Sequence, residues 1–215
     1  WDATTGNHRL IYRGHSSRVW SVAWSPDGTR ITSGSGELAL YDPGADDTVQ
    51  VWDATSGART FIYHGHSNYV QAVAWSPNSQ RIASGAGDDT VQVWNADNGG
   101  DALTYRLHGR PVKAVAWSPD GKYIASGGDD NTVQVFDSTT GKLIFTYRGH
   151  SDALQTVAWS RNGKYIASGS YDGSIQVWGA RTGTPIFIHN DQNTRINAVT
   201  WSPDGTRIAS AGWDK

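Results

Sequence analysis

Residues 149–183 read GHSDALQTVAWSRNGKYIASGSYDGSIQVWGARTG, and this stretch decides the fold. Leu154 to Trp159 alternates as a strand does, and Asn162-Gly163 marks a tight turn. Tyr165 to Ser168 reads as a second strand, Tyr171-Asp172-Gly173 as a turn, and Ser174 to Trp178 as a third strand. Thr182-Gly183 closes that strand, and Pro185 to Ile188 makes a fourth. Turns this short leave no room for helical crossovers, so the four strands form an antiparallel meander.

The phrase recurs along the chain. Trp24, Trp75, Trp117, Trp159 and Trp201 each sit in Ala/Thr-Trp-Ser, with successive gaps of 51, 42, 42 and 42 residues. A period in the low forties without helical stretches points to a four-stranded unit that buries its faces against its neighbours. The longer gap holds nine extra residues, Glu37 to Ala45; without them the chain is four residues short of five 42-residue units. The deficit lies at the ends. Ser210 to Lys215 stops where other copies continue Thr-Val-Gln-Val, and the head resumes at Trp1-Asp2. Residues 1–13 and 196–215 therefore read as two parts of one blade, with His8 to Arg13 as its outer strand, beside blades at 19–64, 70–107, 112–148 and 154–188. One domain fills 1–215. With no methionine to start it, the chain is expected to be a segment of a longer protein.

Bulk properties narrow the function. The chain has 215 residues, 37% hydrophobic and 18% charged, which suits a soluble globular domain with a substantial core. A net charge of -2, from 18 basic and 20 acidic residues, gives no electrostatic reason to bind nucleic acid or an acidic membrane. No apolar run approaches a membrane span and no signal peptide opens the chain, so a cytoplasmic location is the expectation. The lack of cysteine rules out disulfides and thiolate metal sites.

The Gly-His pairs at Gly14-His15, Gly65-His66 and Gly149-His150, the Trp-Ser-Pro-Asp-Gly turns at Trp24, Trp117 and Trp201, and the Trp-Asp pairs at Trp1-Asp2 and Trp52-Asp53 carry a specific resemblance. Over essentially its whole length the chain resembles the WD-repeat (WD40) family. That resemblance implies an all-β β-propeller of four-stranded antiparallel blades around a channel, with about five repeats. Family rings close by sharing a blade between the chain ends and usually have more than five blades. Either this is a five-bladed ring, or roughly two further repeats come from elsewhere, self-association included.

Each copy supplies His, Ser and Asp, which imitates a hydrolase triad. Aligned by period, the sets are His15, Ser33, Asp46 and Trp52; His66, Ser84, Asp88 and Trp94; His108, Ser126, Asp130 and Phe136; and His150, Ser168, Asp172 and Trp178. The resemblance implies a buried hydrogen-bond chain from Trp to Ser to His to Asp. A nucleophile needs one activated copy beside an oxyanion site, and four copies round a ring would be redundant. No catalytic residue is expected. Phe136 removes an indole donor and leaves Ser126 one partner short, and Gln192 takes the His position in the last copy, so those blades should be weaker.

Other candidate sites read as structural. His64 and His66 have an alternating spacing, but His66 belongs to a buried set and no second ligand pair accompanies them. Asp88-Asp89 and Asp129-Asp130-Asn131 sit at tight turns without the bidentate Glu a calcium loop needs. Ser33-Gly34-Ser35-Gly36 precedes a strand and not a helix, so it is not a phosphate cradle. No metal or cofactor is expected.

Positions that differ between copies are free of the shared packing job. At the start of the first strand the copies read Arg18 and Trp20, Tyr69 and Gln71, Pro111 and Lys113, Ala153 and Gln155, Arg195 and Asn197. Before the buried Asp they read Gly87, Asp129, Tyr171 and Trp213. The resemblance places both groups on one rim of the channel, where Arg, Tyr and Trp match the chemistry of interaction hot spots. The expected function is a non-catalytic scaffold that binds a protein or peptide there. Two other readings stand beside it: a small-ligand or glycan binder using Trp20, Tyr69, Tyr171 and Trp213 as stacking surfaces, and an engineered or amplified propeller without a selected ligand. Leu38 to Asp42 in the insertion imitates a third strand, but Val49 to Asp53 restores the spacing and should pair instead, leaving a projecting loop that binds or is merely tolerated.

Overall fold

The computed structural model describes residues 2–7, 10–38, 46–190 and 194–213. Short β-branched runs separated by tight turns such as Asn162-Gly163 and Asp120-Gly121 give strands, the only regular elements among the described residues. The first blade holds β1 (Val19–Trp24), β2 (Arg30–Ser35), β3 (Val49–Asp53) and β4 (Arg59–Tyr63). The second holds β5 (Val70–Trp75), β6 (Arg81–Ala86), β7 (Val91–Asn95) and β8 (Leu103–Tyr105). The third holds β9 (Val112–Trp117), β10 (Tyr123–Gly128), β11 (Val133–Asp137) and β12 (Leu143–Tyr147). The fourth holds β13 (Leu154–Trp159), β14 (Tyr165–Ser170), β15 (Ser174–Gly179) and β16 (Pro185–Asn190). A final pair, β17 (Ile196–Trp201) and β18 (Ile208–Gly212), forms a two-stranded sheet. Each four-stranded sheet runs in chain order and is antiparallel throughout. Val49 to Asp53, not the text of the insertion, pairs with β2, as the spacing requires. Residues 39–45 of that insertion lie outside the described residues.

Neighbouring blades join through their first strands. Val70, Val73 and Trp75 of β5 are buried, and a Cβ at Gly34 of the preceding blade would come within 2.9 Å of Val70. Glycine lets the sheets approach that closely. The repeated tryptophans pin the same seams: the indole N–H of Trp75 donates to the Ala23 carbonyl at 3.2 Å, and those of Trp117, Trp159 and Trp201 donate to Ala74, Ala116 and Ala158 at 3.1 Å.

The end faces differ from these seams. Val19, Val22 and Trp24 of β1 are 53%, 64% and 60% exposed, whereas their counterparts in β5 are nearly fully buried. Ile186, Phe187 and Ile188 of β16 are also exposed. At roughly 1.5–3 kcal/mol per large apolar side chain, covering either face would stabilise an assembly by several kcal/mol. Of the expected outer strand His8 to Arg13, His8 and Arg9 are not described and residues 10–13 carry no strand assignment. Among the described residues no third strand stands beside them to pair with. Tyr12 nevertheless keeps its packing role, stacked 4.7 Å from Trp52 as Tyr63 stacks on Trp94 one blade later.

Candidate recognition rim and the buried hydrogen-bond sets

The loop before each first strand and the turn between its second and third strands meet at one end of every blade. The structure brings the four predicted sets together there. Nδ1 of His66, His108 and His150 lies 2.9 Å from Asp88, Asp130 and Asp172, and that of His15 lies 2.7 Å from Asp46. Nε2 lies 2.8 Å from Ser33, Ser84 and Ser168 and 2.7 Å from Ser126. The indole N–H of Trp94 and Trp178 donates to the serine hydroxyl at 3.2 Å, and that of Trp52 at 3.4 Å. An ionised aspartate requires Nδ1–H, so Nε2 accepts the serine proton and the serine oxygen accepts the indole.

Burial decides what these sets do. Ser84, Ser126 and Ser168 are wholly inaccessible and Ser33 nearly so, which keeps any substrate from the hydroxyl. Desolvation opposes ionisation of Asp88, yet bonds from His66, Thr90 and the Ser67 amide hold its pKa at about 2. Asp46, Asp130 and Asp172 are lowered against the same desolvation by comparable bonds. Burial pushes the pKa of His150 down, with Asp172 opposing. The imidazole there is a neutral strut.

The sequence reading missed one member of the layer. The glutamine in each third strand is buried, and Gln92 shows how it ties three elements: its Nε2 donates to the Gly65 carbonyl at 3.0 Å, and its Oε1 accepts from Tyr63 at 2.6 Å. Gln50 and Gln176 take the same bonds from Tyr12 and Tyr147 at 2.5 and 2.7 Å. The recurring Gln between two β-branched residues, Val-Gln-Val in three copies and Ile-Gln-Val in the fourth, was the available signal. Gln134 departs: its Oε1 is buried with no partner among the described residues, and Tyr105 turns instead to the Asp137 and Ser138 carbonyls at 3.4 and 3.5 Å. The cause is Leu107, which stands where Gly14, Gly65 and Gly149 stand elsewhere. A Cβ at Gly149 would lie 2.5 Å from both Tyr147 Oη and Gln176 Oε1, so a side chain there excludes the tyrosine–glutamine bond. Ser126 keeps its histidine but, facing Phe136, has no indole donor. Gln192 lies outside the described residues.

The unrepeated residues line the same end. Backbone bonds join the two rim positions of each blade: Gly36 N–H donates to Arg18, Gly87 to Tyr69, Asp129 to Pro111, Tyr171 to Ala153 and Trp213 to Arg195. Arg18 lies 3.7 Å from Glu37, and Lys113 lies 3.3 Å from Asp129 and 5.8 Å from the Tyr69 ring. Trp20 donates to the Gly36 carbonyl at 2.8 Å and leans on Tyr69 at 6.3 Å. Tyr69 itself is only 8% exposed, because a glycine at 87 leaves room for its ring. Arg195 is exposed and sits over both Tyr171 (4.7 Å) and Trp213 (5.2 Å). Asn197 is exposed on β17, and Gln71 on β5 has a buried Oε1 without a partner among the described residues.

Known proteins match this architecture. The model of the WD domain, G-beta repeat, matches residues 6–53, 57–95, 101–137, 141–179 and 183–215. The WD repeat-containing protein slp1 of Schizosaccharomyces pombe is 39% identical over 88 residues, covering 40% of this chain and 16% of that protein. A component of chromatin assembly factor 1 of Mus musculus is 38% identical over 72 residues, 34% of this chain and 11% of the relative. The peroxisomal targeting signal 2 receptor of Mus musculus is 34% identical over 79 residues, 36% of this chain and 23% of the relative. The matched parts are thus a quarter or less of each relative's length. With five successive matches spanning nearly all of its residues, the chain belongs to the WD-repeat family of G-beta type.

Proposed function

We propose that the chain is a non-catalytic scaffold that binds a protein or peptide through the rim carrying Arg18, Trp20, Lys113, Asp129, Tyr171, Arg195 and Trp213. WD-repeat proteins generally act as interaction scaffolds, and relatives named as a chromatin assembly factor and a targeting-signal receptor fit that role. The observation that carries the reading is the exposed Arg195–Trp213 pair beside Tyr171, large side chains whose area a partner would bury at low entropic cost. Lys113 and Arg195 already lie over the rim rings, and Tyr69 is buried, which favours a protein or peptide over a sugar that needs open aromatic faces. The open face of β1 supports completion of the array by further blades, from this chain or another.

Photocrosslinking from single benzophenone-labelled positions tests the rim. Labels at Arg18 and Trp213 should crosslink a protein partner, and a label at Thr104 on the outer strand should not. Equal yields from all three would end the proposal.

A further inference from the structure

At the opposite, lower end the fourth blade departs from the repeat, and its changes move charge in one direction. Its first turn reads Ser160-Arg161-Asn162-Gly163 where the third blade reads Ser118-Pro119-Asp120-Gly121. Its second turn reads Gly179-Ala180-Arg181-Thr182 where the third blade reads Asp137-Ser138-Thr139-Thr140. Two carboxylates leave and two guanidinium groups arrive. Lys164 adds a third cation, and the sequence has no acidic residue between Asp152 and Asp172 or between Asp172 and Asp191.

The lost aspartate had a defined job. Asp53 accepts from the amides of Thr55 and Ser56 at 3.1 and 2.7 Å, and Asp137 from those of Thr139 and Thr140 at 3.0 and 2.8 Å. Gly179 offers no such acceptor. The Thr182 amide turns to the Gly179 carbonyl at 3.2 Å, and the Arg181 amide has no protein acceptor among the described residues. In place of the carboxylate lies a groove of about 400 Å³ lined by Asn162, Lys164, Gly179, Arg181 and Thr182 among others, with no acid in its wall. Arg161, Lys164 and Arg181 are all exposed, and none forms an ion pair among the described residues. The Arg181 guanidinium rests over the Tyr123 ring at 5.5 Å, and Arg161 donates to the Pro203 carbonyl at 3.4 Å. Asp120 lines the adjoining groove of about 320 Å³, so an anion is favoured on the Lys164 side.

We propose that this groove binds a phosphate monoester or free phosphate dianion, held by the Arg181 amide and guanidinium and by Lys164. The site lies on the face opposite the rim and does not rest on the rim reading. Phosphate outranks carboxylate because a dianion offsets more of the positive charge that Lys164 and Arg181 bring to this groove, of which, among the described residues, only Arg181 has a carboxylate, Asp120 of the adjoining groove, acting on it.

The test is an NMR titration of the 215-residue chain at constant ionic strength with inorganic phosphate in one arm and an acetylated Ala-phosphoserine-Ala amide in the other. Saturable shifts of the Arg181 and Thr182 amides are expected, with tighter binding of the peptide if the source is a phosphopeptide and equal binding if it is free phosphate. Arg181→Gln should weaken either ligand about tenfold, the loss of one charge-assisted bond. Gly179→Asp restores the carboxylate of the first and third blades at a glycine that is not in the left-handed region; its Cβ would come within 2.5 Å of the Thr182 hydroxyl, which must rotate aside, and the folded variant should not bind. The absence of saturable shifts in the wild type, or unaltered binding by folded Gly179→Asp, would overturn the proposal.

Discussion

The seam between the first and second blades and the seam between the second and third follow one repeated phrase, and two of the positions at which they differ decide their hydrogen-bond layer. In the former, Gly65 admits Tyr63, which bonds Gln92 and stacks on Trp94 with centroids 4.3 Å apart and planes 7° from parallel. In the latter, Leu107 and Phe136 replace glycine and tryptophan. Tyr105 tilts 34° over Phe136 at 4.2 Å, Gln134 Oε1 is left without a partner among the described residues, and Ser126 lacks an indole donor. Apolar contact survives almost unchanged while directed bonds are lost. The comparison teaches that the hydrogen-bond layer is additional to the packing, and that glycine before histidine is what admits it.

The largest effect expected from breaking this comparison is loss of packing, which both seams share. Trp94→Ala and Phe136→Ala should each destabilise by about 4 kcal/mol in urea unfolding, with no large difference between them. A much smaller cost at Phe136 would mean that the second seam is looser than its contacts indicate. A smaller effect isolates the bonds. Leu107→Gly with Phe136→Trp should raise stability by about 1–2 kcal/mol by restoring two buried hydrogen bonds, and Trp94→Phe should lower it by about 1 kcal/mol. No gain in the double variant would show that Tyr105 does not return to Gln134.

The acid response of the layer should be the most gradual change. His150 is lowered in the folded state, so the unfolded chain takes up its proton first, and stability falls as pH drops below the ordinary histidine value of 6.5. Asp88, held at about 2, adds stability above the ordinary carboxylate value of 3.8 that is lost as pH falls towards 2. Both effects have the same sign, so melting temperature should decline gently between about pH 7 and 5 and steeply below about pH 4. A melting temperature that rises on acidification would contradict the neutral-strut reading of His150.

Much of this was legible in the text because repetition supplies its own alignment. The strand boundaries follow from the period, which also aligned the His, Ser and Asp residues of each copy, whereas their joining into a buried hydrogen-bond chain was what the WD-repeat resemblance implied. Leu107 was visible but mute: only the distance from a Cβ at Gly149 to Tyr147 and Gln176 shows why glycine matters there. The burial of Tyr69 depends on the glycine at 87 and on Lys113 and Trp20 from adjacent blades, contacts across seams that no single repeat encodes. The Asp-to-Gly change at 179 was equally plain in sequence, yet its meaning needed the amide geometry of the other blades.

The central claim is that repeated residues hold the scaffold while unrepeated rim residues recognise the partner. The most direct measurement sets melting temperature beside affinity for the crosslinked partner, in Ser84→Ala and in Trp213→Ala. Ser84→Ala should lower the melting temperature and keep affinity at temperatures well below it, and Trp213→Ala should leave the melting temperature unchanged and lose affinity. If both variants lose stability and affinity together, or if Trp213→Ala binds as wild type does, scaffold and recognition are not divided as the repeat suggests.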